Sequence, residues 1–206
     1  MGVAQDERRL LTALFAEVGP DAPTLCDPWR TRDLAAHLVL RERRPDAAAG
    51  ILLAPFAGHT ARVQARYAAR PWDGLLDLVR TGPPIWSPLR PLDEPVNAVE
   101  YFVHHEDVRR AVDGWRPRSP DPVRDEVLWR SLKRVGKLTY RNSPVGVVLR
   151  RPDGGAITAK AGGDPVVLTG QVSELLLHAF GRDRAEVEYD GPEAAVAAVR
   201  TLDRSM

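Results

Sequence analysis

Apolar residues recur at helical spacing through the first two thirds of the chain, and alternate with polar residues in the last third. Leu10, Leu11, Leu14, Phe15 and Val18 share one face of a predicted helix over residues 4–18, closed by Gly19-Pro20. A Pro- and Asp-rich loop with Cys26 and Trp29 follows. Thr31 is then the expected N-cap of a helix, RDLAAHLVLRERR, with Asp33 in the first turn where the helix dipole favours an acid. Pro45 lacks a backbone donor and is expected to interrupt that helix. Short helices are predicted over 59–70 and 72–80, and prolines 83, 84, 88, 91 and 95 mark a long connection. Pro95 suits the first turn of the next helix, PVNAVEYFVHHEDVRRAVDGW, which ends near Gly114. Asp121 and Pro122 open another, through about Lys137. Four main helices with one loose excursion predict a bundle.

Beyond Asn142 the period changes. VGVVLRR, the turn RPDGG and AITAKAG read as a β-hairpin, and PVVLTG as a third strand. A short helix over 171–180, a strand in AEVEYDG and a helix over 192–202 complete the pattern. The expected fold class is therefore α+β: a helical bundle over residues 1–142 and a small α/β domain over 143–206.

The helix beginning near Pro95 breaks the rule that a core-facing stripe is apolar. Glu100, His104 and Asp107 lie among Val96, Val103 and Ala111 on one face, and an isolated histidine, His37, sits on another helix. Burying such groups without partners costs several kcal/mol. A divalent metal is one compensating partner, because facing helices in a bundle bring Glu-x3-His side chains and a third ligand to a common centre. Two imidazoles and a carboxylate suit zinc, iron or nickel and leave coordination positions open. The alternatives from spacing alone are an interhelix ion-pair cluster or a hydrogen-bonded core histidine. Asp107, three residues after His104, is placed to orient that imidazole.

The other candidates are weaker. His105 projects about 100° further round the helix, toward Arg109, and is expected at the surface. His59 is expected in solvent and His178, among leucines, in a structural role. Cys26 has no sequence-adjacent His or Lys to activate it and is expected to be an incidental thiol. Arg41, one turn after His37, is a candidate for holding an anionic substrate, against the reading of RERR as a solvated run. Phosphate loops, a nucleophile elbow and Ser/His/Asp signatures are absent.

Composition narrows the class. A formal net charge of +1 gives no ground for nucleic acid or an anionic membrane surface as partner. No run approaches the roughly 18 apolar residues that span a bilayer, and the N-terminus reads as an amphipathic helix, not a signal peptide. One cysteine excludes an internal disulfide and fits a reducing cytoplasm. Basic residues are nearly all arginine, which is associated with GC-rich genomes.

Two motifs carry a resemblance. Trp29, Asp33, Leu34 and His37 in WRTRDLAAHL, and Glu100, His104 and Asp107 in EYFVHHED, are similar to the W-x3-D-L-x2-H and E-x3-H-x2-D motifs of the mycothiol-dependent maleylpyruvate isomerase family, a branch of the DinB-like metal-binding superfamily. TGQVSELLLHAFGR resembles the smaller C-terminal α/β domain of that family. The resemblance implies a DinB-like four-helix bundle in which His37, Glu100 and His104 bind a divalent metal, normally zinc, beside Asp107. It implies mycothiol, the actinobacterial thiol, as cofactor, and a small electrophile as substrate. The thiolate would add to an activated double bond and leave after rotation, as an isomerase, or remain attached, as an S-transferase. Arg182 is the counterpart offered for the family's C-terminal substrate arginine. The alternative function is a non-catalytic metal- or small-molecule-binding module.

Overall fold

The computed structural model describes residues 2–51, 53–87, 90 and 93–204, with the side chains of residues 93 and 95 outside the description. Prolines 88 and 91 of the predicted connection fall outside the described residues. The chain divides into two compact units, Met1–Trp115 and Arg116–Met206. Among the described residues no helix is long and apolar enough to cross a membrane.

The first unit is helical. Its elements are α1 (Val3–Val18), α2 (Thr31–Arg43), α3 (Pro45–Ala48), α4 (Ala57–Ala68), α5 (Trp72–Thr81) and α6 (Asp93–Arg109). Thr31 is the first residue of α2 and not its cap. Its hydroxyl donates to the Gly19 carbonyl at 2.6 Å, while the Asp33 carboxylate accepts from the Arg30 amide at 3.0 Å and satisfies a terminal donor. Pro45 ends α2 and opens α3. Helix α1 packs along α6, α5 packs on α1 and α2, and α4 lies against α2. Leu11 and Phe15 of α1, Leu34 and Leu38 of α2, Leu75 and Val79 of α5, and Tyr101 of α6 form one buried cluster. Helix α6 is buried on nearly every side from Asn97 to Val108.

The second unit contains α7 (Pro122–Thr139), β1 (Val147–Arg150), β2 (Ala156–Lys160), β3 (Val166–Thr169), α8 (Val172–Ala179), β4 (Glu188–Asp190) and α9 (Glu193–Arg200). Asp121 caps α7, accepting from the amides of Val123 and Arg124 at 2.9 and 3.0 Å. The sheet order is β2-β1-β3-β4. β1 pairs antiparallel with β2, as the predicted hairpin requires, and parallel with β3, while β4 runs antiparallel to β3.

The unit boundary falls at residues 115/116, ahead of the compositional shift at 142/143. The reason is α7, expected as a bundle helix, which packs on α8 and β2. A Cβ at Gly136 would stand 3.4 Å from Leu149 Cδ1 and 3.5 Å from Ala159 Cβ, so the helix lies close against the sheet. The architecture is α+β, with a helical unit preceding a helix-and-sheet unit.

Candidate metal centre

Three elements of the first unit build the site: α2, α6 and the loop between α1 and α2. The loop is held by its own hydrogen bonds. Thr24 Oγ1 donates to the Trp29 carbonyl at 2.8 Å, and the Trp29 amide to the Cys26 carbonyl at 2.8 Å. The Leu25 amide donates to the Asp107 carbonyl at 3.0 Å and ties the loop to α6. This arrangement sets the Trp29 ring 5.1 Å from that of His37, centroid to centroid.

Helical geometry brings Glu100 and His104 side by side, and α2 presents His37 to both. Oε1 of Glu100 lies 3.3 Å from His37 Nε2 and 3.3 Å from His104 Nε2. The three donor atoms all fall within 4.8 Å of one another. Those separations sit at the long edge of N–H···O hydrogen bonding, whose usual range is about 2.7–3.2 Å. They match two donors on a shared tetrahedral ion, which stand about 3.4 Å apart when each is about 2.1 Å from it. Two imidazoles and a carboxylate are a donor set of the kind a divalent ion accepts. Glu100 keeps 22% of its side-chain surface exposed against 9% and 11% for His37 and His104, so the cluster opens to solvent on the carboxylate side.

The electrostatics separate the two histidines. Burial dominates at His37 and lowers its pKa, opposed by the contact with Glu100. Burial also penalises the His104 imidazolium, but hydrogen bonds to Asp107, Cys26 and Glu100 outweigh it and hold the pKa well above the usual histidine value. Burial pushes the Glu100 carboxyl upward, yet the histidine contacts and the Arg41 charge prevail and keep it well below the carboxylate range. His104 Nδ1 lies 2.9 Å from Asp107 Oδ2, and Asp107 is fully buried. With the Nδ1 proton donated to that carboxylate, Nε2 is the ring nitrogen turned toward Glu100.

Behind the donors runs a buried polar network. Arg41 Nε lies 3.4 Å from Glu100 Oε1, and its Nη1 donates to Asn97 Oδ1. Asn97 Nδ2 donates to Glu42 Oε1 at 3.0 Å, as do Tyr101 Oη at 3.0 Å and Arg8 Nη2 at 2.6 Å. Arg41 is thus fixed beside the carboxylate and is not part of a solvated run.

Two other expectations meet the structure differently. His105 is buried, not exposed: α1 covers the face that looked outward, and Nδ1 lies 3.2 Å from Glu7 Oε2. Cys26, set aside for want of a sequence neighbour, stands 3.1 Å from Asp107 Oδ2 and 3.9 Å from His104 Nδ1. Cys26, His104 and Asp107 form a second group with metal-ligand spacing that shares His104. No local signal could have found it, because 78 residues separate Cys26 from His104. Arg182 belongs to the second unit, where Nη1 donates to the Phe180 carbonyl at 2.6 Å. His59 sits near the surface against Asp46, and His178 is buried in the second unit between Tyr140 and Tyr189.

No family model and no curated protein matches the chain. Two solved structures do: the crystal structure of the mycothiol-dependent maleylpyruvate isomerase, and that of a histidine-to-alanine mutant of it. Each aligns with a TM-score of 0.62 over 91% of this chain and 90% of its own, at 16% identity. The chain shares the fold of that isomerase across nearly its whole length.

Proposed function

We propose that the protein is a metal-dependent enzyme that uses a thiol cofactor, mycothiol, to isomerise or conjugate a small anionic electrophile. The observation that carries this reading is the convergence of His37 and His104 on one oxygen of Glu100, each at 3.3 Å, on the exposed edge of a buried cluster. His37, Glu100 and His104 would hold a divalent ion, zinc by the chemistry of the set. A bound ion of this kind supplies Lewis acidity that favours the thiolate of a coordinating thiol.

The chain's own residues do the rest. Asp107 retains the Nδ1 proton of His104 and orients the ring. The Trp29 ring packs on His37 and walls that side of the site. Arg41 sets a guanidinium beside Glu100, where an anionic substrate group can be paired. The shared fold with the mycothiol-dependent maleylpyruvate isomerase supports the choice of thiol and of an unsaturated acid as substrate class.

The test is spectroscopic. Cobalt-substituted protein titrated with mycothiol is expected to show a shifted d–d spectrum and a new sulfur-to-metal band, and mycothiol with maleylpyruvate to show cis–trans turnover or a conjugate. A spectrum unchanged by mycothiol would overturn the thiol reading.

A further inference from the structure

A second cavity lies apart from the His37, Glu100 and His104 donors. It is a cleft of about 740 Å³ whose described lining comes from α1, the end of α5, Pro83, Arg90 and Glu94. Among the described residues, four arginines, Arg8, Arg9, Arg80 and Arg90, face it against one carboxylate, Glu94. That carboxylate is committed: its oxygens accept from the Val3 and Ala4 amides at 2.7 and 3.1 Å and cap α1. Arg8 is compensated from behind by Glu42 at 2.6 Å. Arg80 pairs with Asp77, both exposed, an arrangement of little energetic weight. Among the described residues Arg9 and Arg90 have no ion-pair partner. The cleft therefore concentrates positive charge from three separate chain segments.

A carboxylate is planar and is satisfied by one guanidinium fork, whereas a phosphate presents oxygens to several sides. Guanidinium groups from three segments suit the second shape. The volume falls within the roughly 300–1,000 Å³ of small-molecule sites, and Ala13, Ala16 and Pro83 add apolar wall. We propose that this cleft binds a phosphorylated small molecule of nucleotide size, with Arg9, Arg80 and Arg90 holding its phosphate. The site shares no residue with the proposed metal donors, so either can fail alone.

Calorimetric titration of the full chain with AMP, adenosine and acetate tests it. AMP is expected to bind saturably at one site, with adenosine and acetate at least tenfold weaker. The Arg9→Ala/Arg90→Ala double variant, altered at two exposed positions, is expected to lose at least tenfold in AMP affinity. Arg62→Ala, exposed on α4, is expected to lose none. No saturable AMP binding, equal affinity for adenosine, undiminished binding by the double variant, or an equal loss in Arg62→Ala would each overturn the proposal.

Discussion

Asp107 and His104 form a buried carboxylate–imidazole pair 2.9 Å apart, one helical turn along α6, in which the carboxylate is fully enclosed. The pair decides which ring nitrogen of His104 carries a proton, and hence which faces Glu100. Asp107→Asn preserves shape but removes the charge that favours the Nδ1–H tautomer. Metal affinity is expected to fall by about 10–100-fold, as for other partners of ligating histidines. Competition with a chromophoric chelator measures this, and circular dichroism checks that the fold is unchanged.

Chelation distinguishes an ion that serves chemistry from one that holds the fold. Leu11, Phe15, Leu38, Val79 and Tyr101 give the first unit an apolar core of its own. Without an ion, Glu100 still meets both histidines and Arg41. EDTA-treated protein is therefore expected to keep its helical circular dichroism and lose activity alone. Loss of the helical signal on chelation would assign a structural ion instead.

The network behind the site makes a stability prediction. Glu42 Oε1 accepts from Arg8, Asn97 and Tyr101, all buried. Glu42→Ala would remove the acceptor that three buried donors share, and unfolding stability is expected to fall by about 3–5 kcal/mol. Glu126→Ala, which removes an exposed pair with Arg130, is expected to leave the urea midpoint unchanged.

The second unit carries a pH dependence of its own. Burial, reinforced by the charges of Arg204 and Arg200, holds His178 at about 3, against 6.5 for the unperturbed group. Its Nδ1 and Nε2 meet the hydroxyls of Tyr140 and Tyr189 at 2.5 and 2.7 Å. Between those values the unfolded chain binds one more proton than the folded one. Stability is therefore full above pH 6.5 and falls as pH drops toward 3, by about 1.4 kcal/mol per unit from this group. Urea unfolding followed through Trp129 fluorescence is expected to show that slope in the wild type and a shallower one in His178→Gln.

Much of the site was legible because helical periodicity is local. The spacing of Glu100, His104 and Asp107 placed them on one face, and the motif around His37 named the partner helix. Periodicity does not say what packs on each face. Spacing alone turns His105 outward, but α1, about a hundred residues earlier, covers that side of α6. The same gap affected α7, whose amphipathic pattern suits a bundle or a sheet equally, and which packs on β2 and α8. Cys26 reaches Asp107 only because the Leu25 amide ties its loop to α6.

The proposed ion is expected among His37, Glu100 and His104, and not in the neighbouring group of Cys26, His104 and Asp107. Elemental analysis of purified wild type, His37→Ala, Glu100→Ala and Cys26→Ala tests it most directly. Stoichiometric metal is expected in the wild type and in Cys26→Ala, and its loss in His37→Ala and Glu100→Ala. Metal retained in His37→Ala and Glu100→Ala, or absent from the wild type, would contradict it.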